Sequence, residues 1–307
     1  MRTYIAGAGA MGCLFGYKIF KSGQDVILLD NWEAHIKVIE HDGLTVTGAA
    51  DEKVDIPIMK PEDVYEKADF IILFTKAMQL PAMLENLKDI ISPETRVLCL
   101  LNGIGHEEVI SQYINKKHIL MGVTVWTSSL NGPGSFNLQD SGAINLQCIE
   151  GDDEDVAKPV LEILNKAGLN ATYDDDVLPS IWRKACVNGT MNATCALEDC
   201  TIGKFFDSKY GREVAQIITH EFTEVAMALG VKVDEKKFYA YVIDTYKNHY
   251  KHYPSMHQDL MQNHRPTEVD YINGAAVRLG KRVGIECPFN DCITRLVHAK
   301  EEILGII

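Results

Sequence analysis

The sequence predicts an α/β chain: a Rossmann-type, doubly wound sheet at the N-terminal end, followed by an all-helical domain. Three observations predict it. The chain opens on "MRTYIAGAGAMG", a short apolar strand running straight into closely spaced glycines. Through the first half, continuous apolar runs of strand length alternate with helical stretches, as in parallel strands covered on both faces. Beyond "NATYDDDVLPS" the apolar spacing changes to a period of 3.6 and keeps it. A length of 307 residues also suits two domains better than one. The expected division is 1–176 for the Rossmann-type α/β domain and 177–307 for the helical domain.

Each element has its own signal. "TYIAGAG" is a strand and glycine turn, followed by a helix through about Ser22; "DVILLD" is the next strand, with a helix from Trp32. Short strands are expected at "GLTVTG" and "VDIPIM". Then come "ADFIILFTK", a helix around "MLENLKDII", "RVLCLLNG", a helix around "HEEVISQYI", and "ILMGVTVWTSS". "GSFNLQD" and "AINLQCIE" are expected to extend the sheet, in either direction. One more helix, "DVAKPVLEILNKAGL", precedes the boundary. The second half predicts helices near 180–198, 209–229, 234–247, 256–263, 267–282 and 289–304.

Composition narrows the function. With 46% hydrophobic and 24% charged residues the chain has an ordinary globular make-up. A net charge of −13 argues against non-specific binding to nucleic acid or to an anionic membrane. An anionic substrate then needs a local positive pocket. No apolar run approaches the roughly 20 residues of a membrane span, and the opening strand leaves no room for a signal peptide. The eight cysteines form no CxxC pair, and those at 13, 99, 186 and 195 lie in apolar segments. They read as reduced core residues of a cytoplasmic protein. His249, His252 and His257 lack the spacing of a metal site, and no G-x-S-x-G supplies a hydrolase nucleophile.

The motifs point to a dinucleotide. Gly7, Gly9 and Gly12 have the G-x-G-x-x-G spacing. The first permits a tight turn, the second admits a pyrophosphate, and the third lets helix and strand pack closely. Ala10 and Met11 open the helix whose N-terminus holds the phosphates. Asp30 closes the second strand, where a carboxylate accepts from the ribose hydroxyls and repels a 2′-phosphate, favouring NAD over NADP; its plainer role is to cap the next helix. Thr75, Lys76 and Gln79 follow another strand, and Asn102 with Gly103 a further one, at the edge where open α/β sheets bind ligands. Lys76 can equally begin a helix, and Asn102 can equally turn the chain.

"WRKACVNGTMNA" carries Lys184, Asn188 and Asn192 four residues apart. Four residues overshoot a helical turn by about 40°, so the three polar heads lie on one stripe of an otherwise apolar helix. Arg183 points about 100° away. A lysine whose burial lowers its pKa can protonate a developing oxyanion, and amides can hold a carboxylate. The plainer alternatives are a snorkelling lysine and a buried amide network. Ser255 follows Pro254, and Glu268 follows Thr267. By spacing alone these two are an N-cap and a first-turn acid.

Taken together, "GAGAMG", "TKAMQ", "LLNGIGHEE", "WRKACVNGTMNA" and "YPSMHQDLMQNHRPTEVDYINGAAVRLGKRVGIECPFN" resemble the ketopantoate reductase family over nearly the whole chain. The resemblance implies reduction of a branched 2-oxo acid to the D-2-hydroxy acid by a reduced nicotinamide, in a cleft between the two domains, and suggests a homodimer. It implies Lys184 as the acid and Glu268 as its acidic partner. Asn188, Asn192 and Ser255 bind the substrate, while Lys76, Gln79 and Asn102 bridge coenzyme and substrate. Asp30 departs from the basic residue common in NADPH-using members. It points to the NAD-dependent D-2-hydroxyacid dehydrogenase branch, of the D-mandelate dehydrogenase type, acting on C3-branched acids. The alternative within the same chemistry is 2-dehydropantoate reduction for pantothenate synthesis. Outside it stands a non-catalytic dinucleotide sensor, which has no need of a proton donor beside the nicotinamide.

Overall fold

The computed structural model describes residues 1–151 and 154–307. Asp152 and Asp153, in the acidic stretch "GDDEDVAK" whose crowded carboxylates read as a solvated loop, lie outside the described residues. The chain divides into two units, Met1–Leu101 with His106–Val177, and Asn102–Gly105 with Leu178–Ile307.

The first unit runs β1 (Thr3–Ala6), α1 (Ala10–Lys21), β2 (Val26–Leu29), α2 (Glu33–Asp42), β3 (Leu44–Gly48), β4 (Glu52–Val54), β5 (Ile58–Met59), β6 (Phe70–Leu73), α3 (Leu80–Leu87), β7 (Arg96–Cys99), α4 (Glu107–Ile110), β8 (Ile119–Thr124), β9 (Ser128–Leu130), β10 (Ser135–Leu138), β11 (Ile144–Cys148), α5 (Glu154–Lys166) and β12 (Ala171–Tyr173). Eight strands form one sheet in the order β12-β11-β8-β7-β6-β1-β2-β5. From β8 to β5 every pairing is parallel. Every residue of β1 and β6 is buried, which is why these strands read as unbroken apolar runs.

Two expectations need correction. "AINLQCIE" does join the main sheet, antiparallel to β8, but "GSFNLQD" does not. It forms β10 of a second sheet, β4-β3-β10-β9. In β10 Phe136 and Leu138 are buried while Ser135 and Asn137 are half-exposed. It pairs parallel to β3 and antiparallel to β9, outside the main sheet. "HEEVISQYI" gives only the single turn of α4, after which Gln112 and Tyr113 donate to carbonyls three residues back.

The second unit contains α6 (Leu178–Leu197), α7 (Ile202–Asp207), α8 (Lys209–Ala228), α9 (Glu235–Asn248), α10 (Ser255–His257), α11 (Asn273–Val283) and α12 (Pro288–Ile303). A π-helical turn, Gln258–Gln262, follows α10, and a 3₁₀ turn, Val269–Tyr271, precedes α11. The helix expected over 267–282 is therefore two pieces, broken at Ile272, whose ψ of −89° is not helical. The short α7 was not expected; the Thr201 hydroxyl caps it by accepting from the Lys204 N–H. Helix α6 packs against α8, α9, α10 and α12, which accounts for its apolar sequence. At Gly189 a Cβ would sit 2.5 Å from the Phe222 ring, so glycine sets how closely α6 and α8 approach. The Lys300 ammonium donates to the Ala196 and Leu197 carbonyls and closes the C-terminal end of α6.

Six cysteines (13, 99, 148, 186, 195 and 287) are buried, Cys200 is half-buried, and Cys292 is exposed, so the expectation of core thiols fails at Cys292. Among the described residues no helix is long and apolar enough to cross a membrane.

Candidate active site

In the first unit, strand register gathers the motifs. Ala6 lies opposite both Leu29 and Leu73, and Leu73 opposite Cys99. The glycine turn, Asp30 and Thr75–Lys76 therefore leave the sheet along the same carboxyl edge. Gly7 has φ +103°, and a Cβ there would lie 2.6 Å from the Thr75 nitrogen. A Cβ at Gly12 would lie 1.9 Å from the Gly7 carbonyl oxygen. Both glycines are required by packing, whereas a Cβ at Gly9 would meet nothing within 4 Å. That open side is the approach a pyrophosphate needs. The first bond of α1 is Cys13 N–H to the Gly9 carbonyl, 2.8 Å, so the N–H groups of Ala10, Met11 and Gly12 have no acceptor within the helix. The first turn of α1 holds no acidic residue, and the buried Thr75 hydroxyl makes no hydrogen bond. The residues present fit a dinucleotide. Lys76 is half-buried and Gln79 exposed, around the short turn before α3.

Asp30 does more than end β2. One carboxylate oxygen accepts the Ala8 N–H (2.8 Å), and the other accepts the Trp32 N–H (2.9 Å). It thus ties the glycine turn to the start of α2, and a carboxylate still has lone pairs for further donors. Behind it, the Cys13 thiol donates to the Ala8 carbonyl (3.1 Å). The buried His35 accepts the Gly134 N–H at Nδ1 (2.9 Å), which leaves its proton on Nε2, 3.5 Å from the Cys13 sulfur. Burial lowers the His35 pKa against the pull of the Asp30 charge, and burial raises that of the Cys13 thiol. Both groups are neutral near pH 7.

In the second unit the α6 stripe finds its partners. Lys184 and Asn188 are half-buried and Asn192 is buried. Burial lowers the Lys184 pKa, and the Glu268 charge acts the other way. Glu268 is itself buried, just before the Val269–Tyr271 turn. The Asn192 amide donates to the Ser255 hydroxyl, 3.3 Å, at the exposed start of α10. Asn102 enters with the segment Asn102–Gly105, which packs on the same turn. The Ile104 N–H donates to the Tyr271 carbonyl (3.1 Å), and a Cβ at Gly103 (φ +98°) would lie 2.2 Å from that oxygen. Arg183 lies over the Tyr241 ring, 4.5 Å away, off the Lys184 stripe. Among the described residues no group of three or more His, Cys, Asp or Glu side chains is arranged to hold a metal.

Sequence reasoning missed the polar supports of this region. Buried Asn273 donates to the Gly189 carbonyl (3.1 Å) and to Asn290 (2.9 Å). Buried Glu221 accepts the N–H groups of Phe289 and Asn290, both at 2.9 Å, at the start of α12. Glu301 and His298 hold the segment carrying Glu268. A signal existed for Glu221, which sits on the apolar face of α8 beside Ile218, Phe222 and Val225.

The chain is similar to known proteins over nearly its whole length. The family model described as Ketopantoate reductase PanE/ApbA matches residues 3–151, and its C-terminal counterpart matches residues 176–301. The chain belongs to the ketopantoate reductase family. As a member it is an NAD(P)-dependent oxidoreductase acting on the CH–OH group of 2-hydroxy acids. Among ketopantoate reductase relatives, a 2-dehydropantoate 2-reductase of Streptococcus pyogenes serotype M6 is 58% identical over 306 residues, covering 100% of both chains. One from Lactococcus lactis is 43% identical over 309 residues, covering 99% of each. The solved ternary structure of D-mandelate dehydrogenase with NADH and anilino(oxo)acetate is 41% identical, with a TM-score of 0.94 and complete coverage of both chains.

Proposed function

We propose that this ketopantoate reductase family member reduces a C3-branched 2-oxo acid to its D-2-hydroxy acid, with 2-dehydropantoate as the foremost substrate. The names of the 58% and 43% identical relatives support that order, which reverses the one suggested by Asp30 alone. A D-mandelate-type activity is the second reading. It is favoured by Asp30 and by the likeness to the NADH-bound D-mandelate dehydrogenase. On either reading NADH is preferred to NADPH, because a second anion beside the Asp30 carboxylate is repelled.

The observation that carries the proposal is the electrostatic pairing of Lys184 with buried Glu268 on a helix that also presents Asn188 and Asn192. When bound, the coenzyme supplies a hydride to the substrate carbonyl carbon. Gly7, Gly9 and Gly12, the α1 N-terminus with Ala10 and Met11, and Asp30, Thr75, Lys76 and Gln79 hold the coenzyme in the first unit. In the second, Lys184 donates the proton that the carbonyl oxygen gains. Glu268 orients the ammonium and keeps it charged against its burial. Asn188, Asn192 and Ser255 hold the substrate carboxylate, and Asn102 fixes the carbonyl. The first unit is then the coenzyme domain and the second the substrate domain. A cytoplasmic homodimer is the expected setting.

A steady-state panel of ketopantoate, benzoylformate and 2-oxoisovalerate, each with NADH and NADPH, tests the assignment. Ketopantoate with NADH is expected to give the highest kcat/KM, and a Lys184→Ala enzyme to lose at least a thousandfold in kcat while binding NADH normally. Highest efficiency on benzoylformate would move the chain to the second reading. Near-normal turnover by Lys184→Ala would remove Lys184 from the chemistry.

A further inference from the structure

The segment carrying Glu268 is held from behind by a group of side chains with no part in the chemistry above. Glu301 is nearly sealed from solvent (2% exposed), and one of its oxygens accepts the Thr267 N–H at 2.7 Å. Its other oxygen lies 2.8 Å from His298 Nδ1. The second ring nitrogen, Nε2, lies 2.9 Å from an Asp270 carboxylate oxygen. Thr267 and Asp270 flank Glu268 by one and two residues, so both sides of the carboxylate lead back to one imidazole.

A histidine with a carboxylate on each nitrogen donates at both positions only as the imidazolium. The charged groups facing it are Asp270 from the turn and Glu301 from its own helix. Arg278 of α11 reaches the same turn through the Asp270 carbonyl (3.4 Å). Lys300 is turned to the end of α6, and Arg295 pairs with Asp291. We propose that His298 is a positioning residue: as an imidazolium between Glu301 and Asp270 it fixes the Thr267–Asp270 backbone, and with it the placement of Glu268 against Lys184. This inference rests on the reading of Glu268 and Lys184 given above.

Partial burial disfavours the His298 charge, but the two carboxylates outweigh it and raise the pKa above the ordinary histidine value. A group whose folded pKa is raised contributes fully below the unfolded pKa of about 6.5 and is lost as pH rises through the folded value. The clamp is therefore complete below about pH 6.5 and is lost as pH rises through the raised His298 value.

The test is steady-state reduction of ketopantoate by NADH from pH 6 to 9 in wild type, His298→Gln, His298→Arg and Glu268→Gln, with NADH Kd measured for each. If ketopantoate is not turned over, the best acid of the panel replaces it. His298→Gln is expected to lose tenfold or more in kcat at pH 6, with NADH Kd within twofold of wild type. The ratio of wild type to His298→Gln should shrink as pH rises through the raised His298 value, because the wild-type clamp is lost there as well. His298→Arg, a cation throughout this range, should recover most of the loss and keep a flat ratio to His298→Gln. The solvent-facing Asp270→Asn, which should fold even if His298→Gln does not, is expected to move the alkaline limb to lower pH. A wild-type to His298→Gln ratio that is flat with pH or below twofold overturns the inference, as does an unmoved limb in Asp270→Asn. Glu268→Gln separates the two failures. If it is crippled while His298→Gln is normal, only the clamp is wrong. If it is within twofold of wild type, the reading of Glu268 falls and takes the clamp with it.

Discussion

Asp30, which the sequence marks for a ribose or for the start of the next helix, also holds the glycine turn. Its position at the end of β2, 23 residues after Gly7, was legible as a place where an acid suits either a ribose or the start of the next helix. Its bond to the Ala8 N–H was not, since nothing in the spacing shows how a turn folds back on a carboxylate. On the proposed reading, the preference for NADH should therefore not be exchanged by a single substitution. Asp30→Ala is expected to weaken NADH binding by tenfold or more without bringing NADPH to wild-type NADH efficiency, because the freed Ala8 and Trp32 N–H groups let the turn relax. Titration of both coenzymes against the variant checks this; efficient NADPH use would show that Asp30 acts by charge alone. Cys13 and His35 went unread for a related reason: each looks like ordinary helix interior until β10's preceding turn brings Gly134 to the imidazole.

At the scale of elements, periodicity served best where an element buries one kind of surface. The unbroken runs of β1, β6 and β7 and the long α8, α9 and α12 were all legible. It placed the helical stretch at 255–262 but not its π-helical winding, and it failed at the break before α11, where side-chain bonds shape the backbone: Arg265 to Asp259, Thr267 to Glu301. The stripe on α6 was legible because Lys184, Asn188 and Asn192 share that helix, whereas Ser255 and Glu268 reach it through folding and were found only by resemblance. The start of α12 depends on another element altogether. Pro288 supplies no N–H, and the next two are taken by Glu221 of α8. Glu221→Ala leaves these donors and Asn290 unsatisfied in a buried place, a loss of roughly 2–3 kcal/mol. Chemical denaturation should show that loss in Glu221→Ala. A change below about 0.5 kcal/mol, the scatter of surface substitutions, would mean that water replaces the carboxylate.

For the molecule as a whole, Lys184 in its proposed role as proton donor would set how the two directions of reaction divide the pH scale. In that role reduction needs Lys184 charged and oxidation needs it neutral, and its burial moves that exchange below the ordinary lysine value. Reduction is expected to fall, and oxidation of the hydroxy acid to rise, as pH increases through the same window. Assays in both directions from pH 6 to 10, at saturating coenzyme, check this. Parallel profiles would rule out a shared acid–base group. The overall division into an α/β half and a helical half was legible from the change of period near Pro179, but the return of Asn102–Gly105 to the helical unit was not. A four-residue loop carries no periodicity, and its place is fixed by the Tyr271 carbonyl.

That loop makes the two halves poor modules. A cut near residue 177 separates the helices from four residues that fold with them, leaving the Tyr271 carbonyl without its Ile104 donor. A helical half exchanged between relatives would arrive with the wrong loop unless the donor's β7 end came too. With substrate choice in the helical half, as proposed above, its heritable unit would thus not be a contiguous stretch of gene. It would be the helical half together with a short insert lodged deep in the coding region of the other.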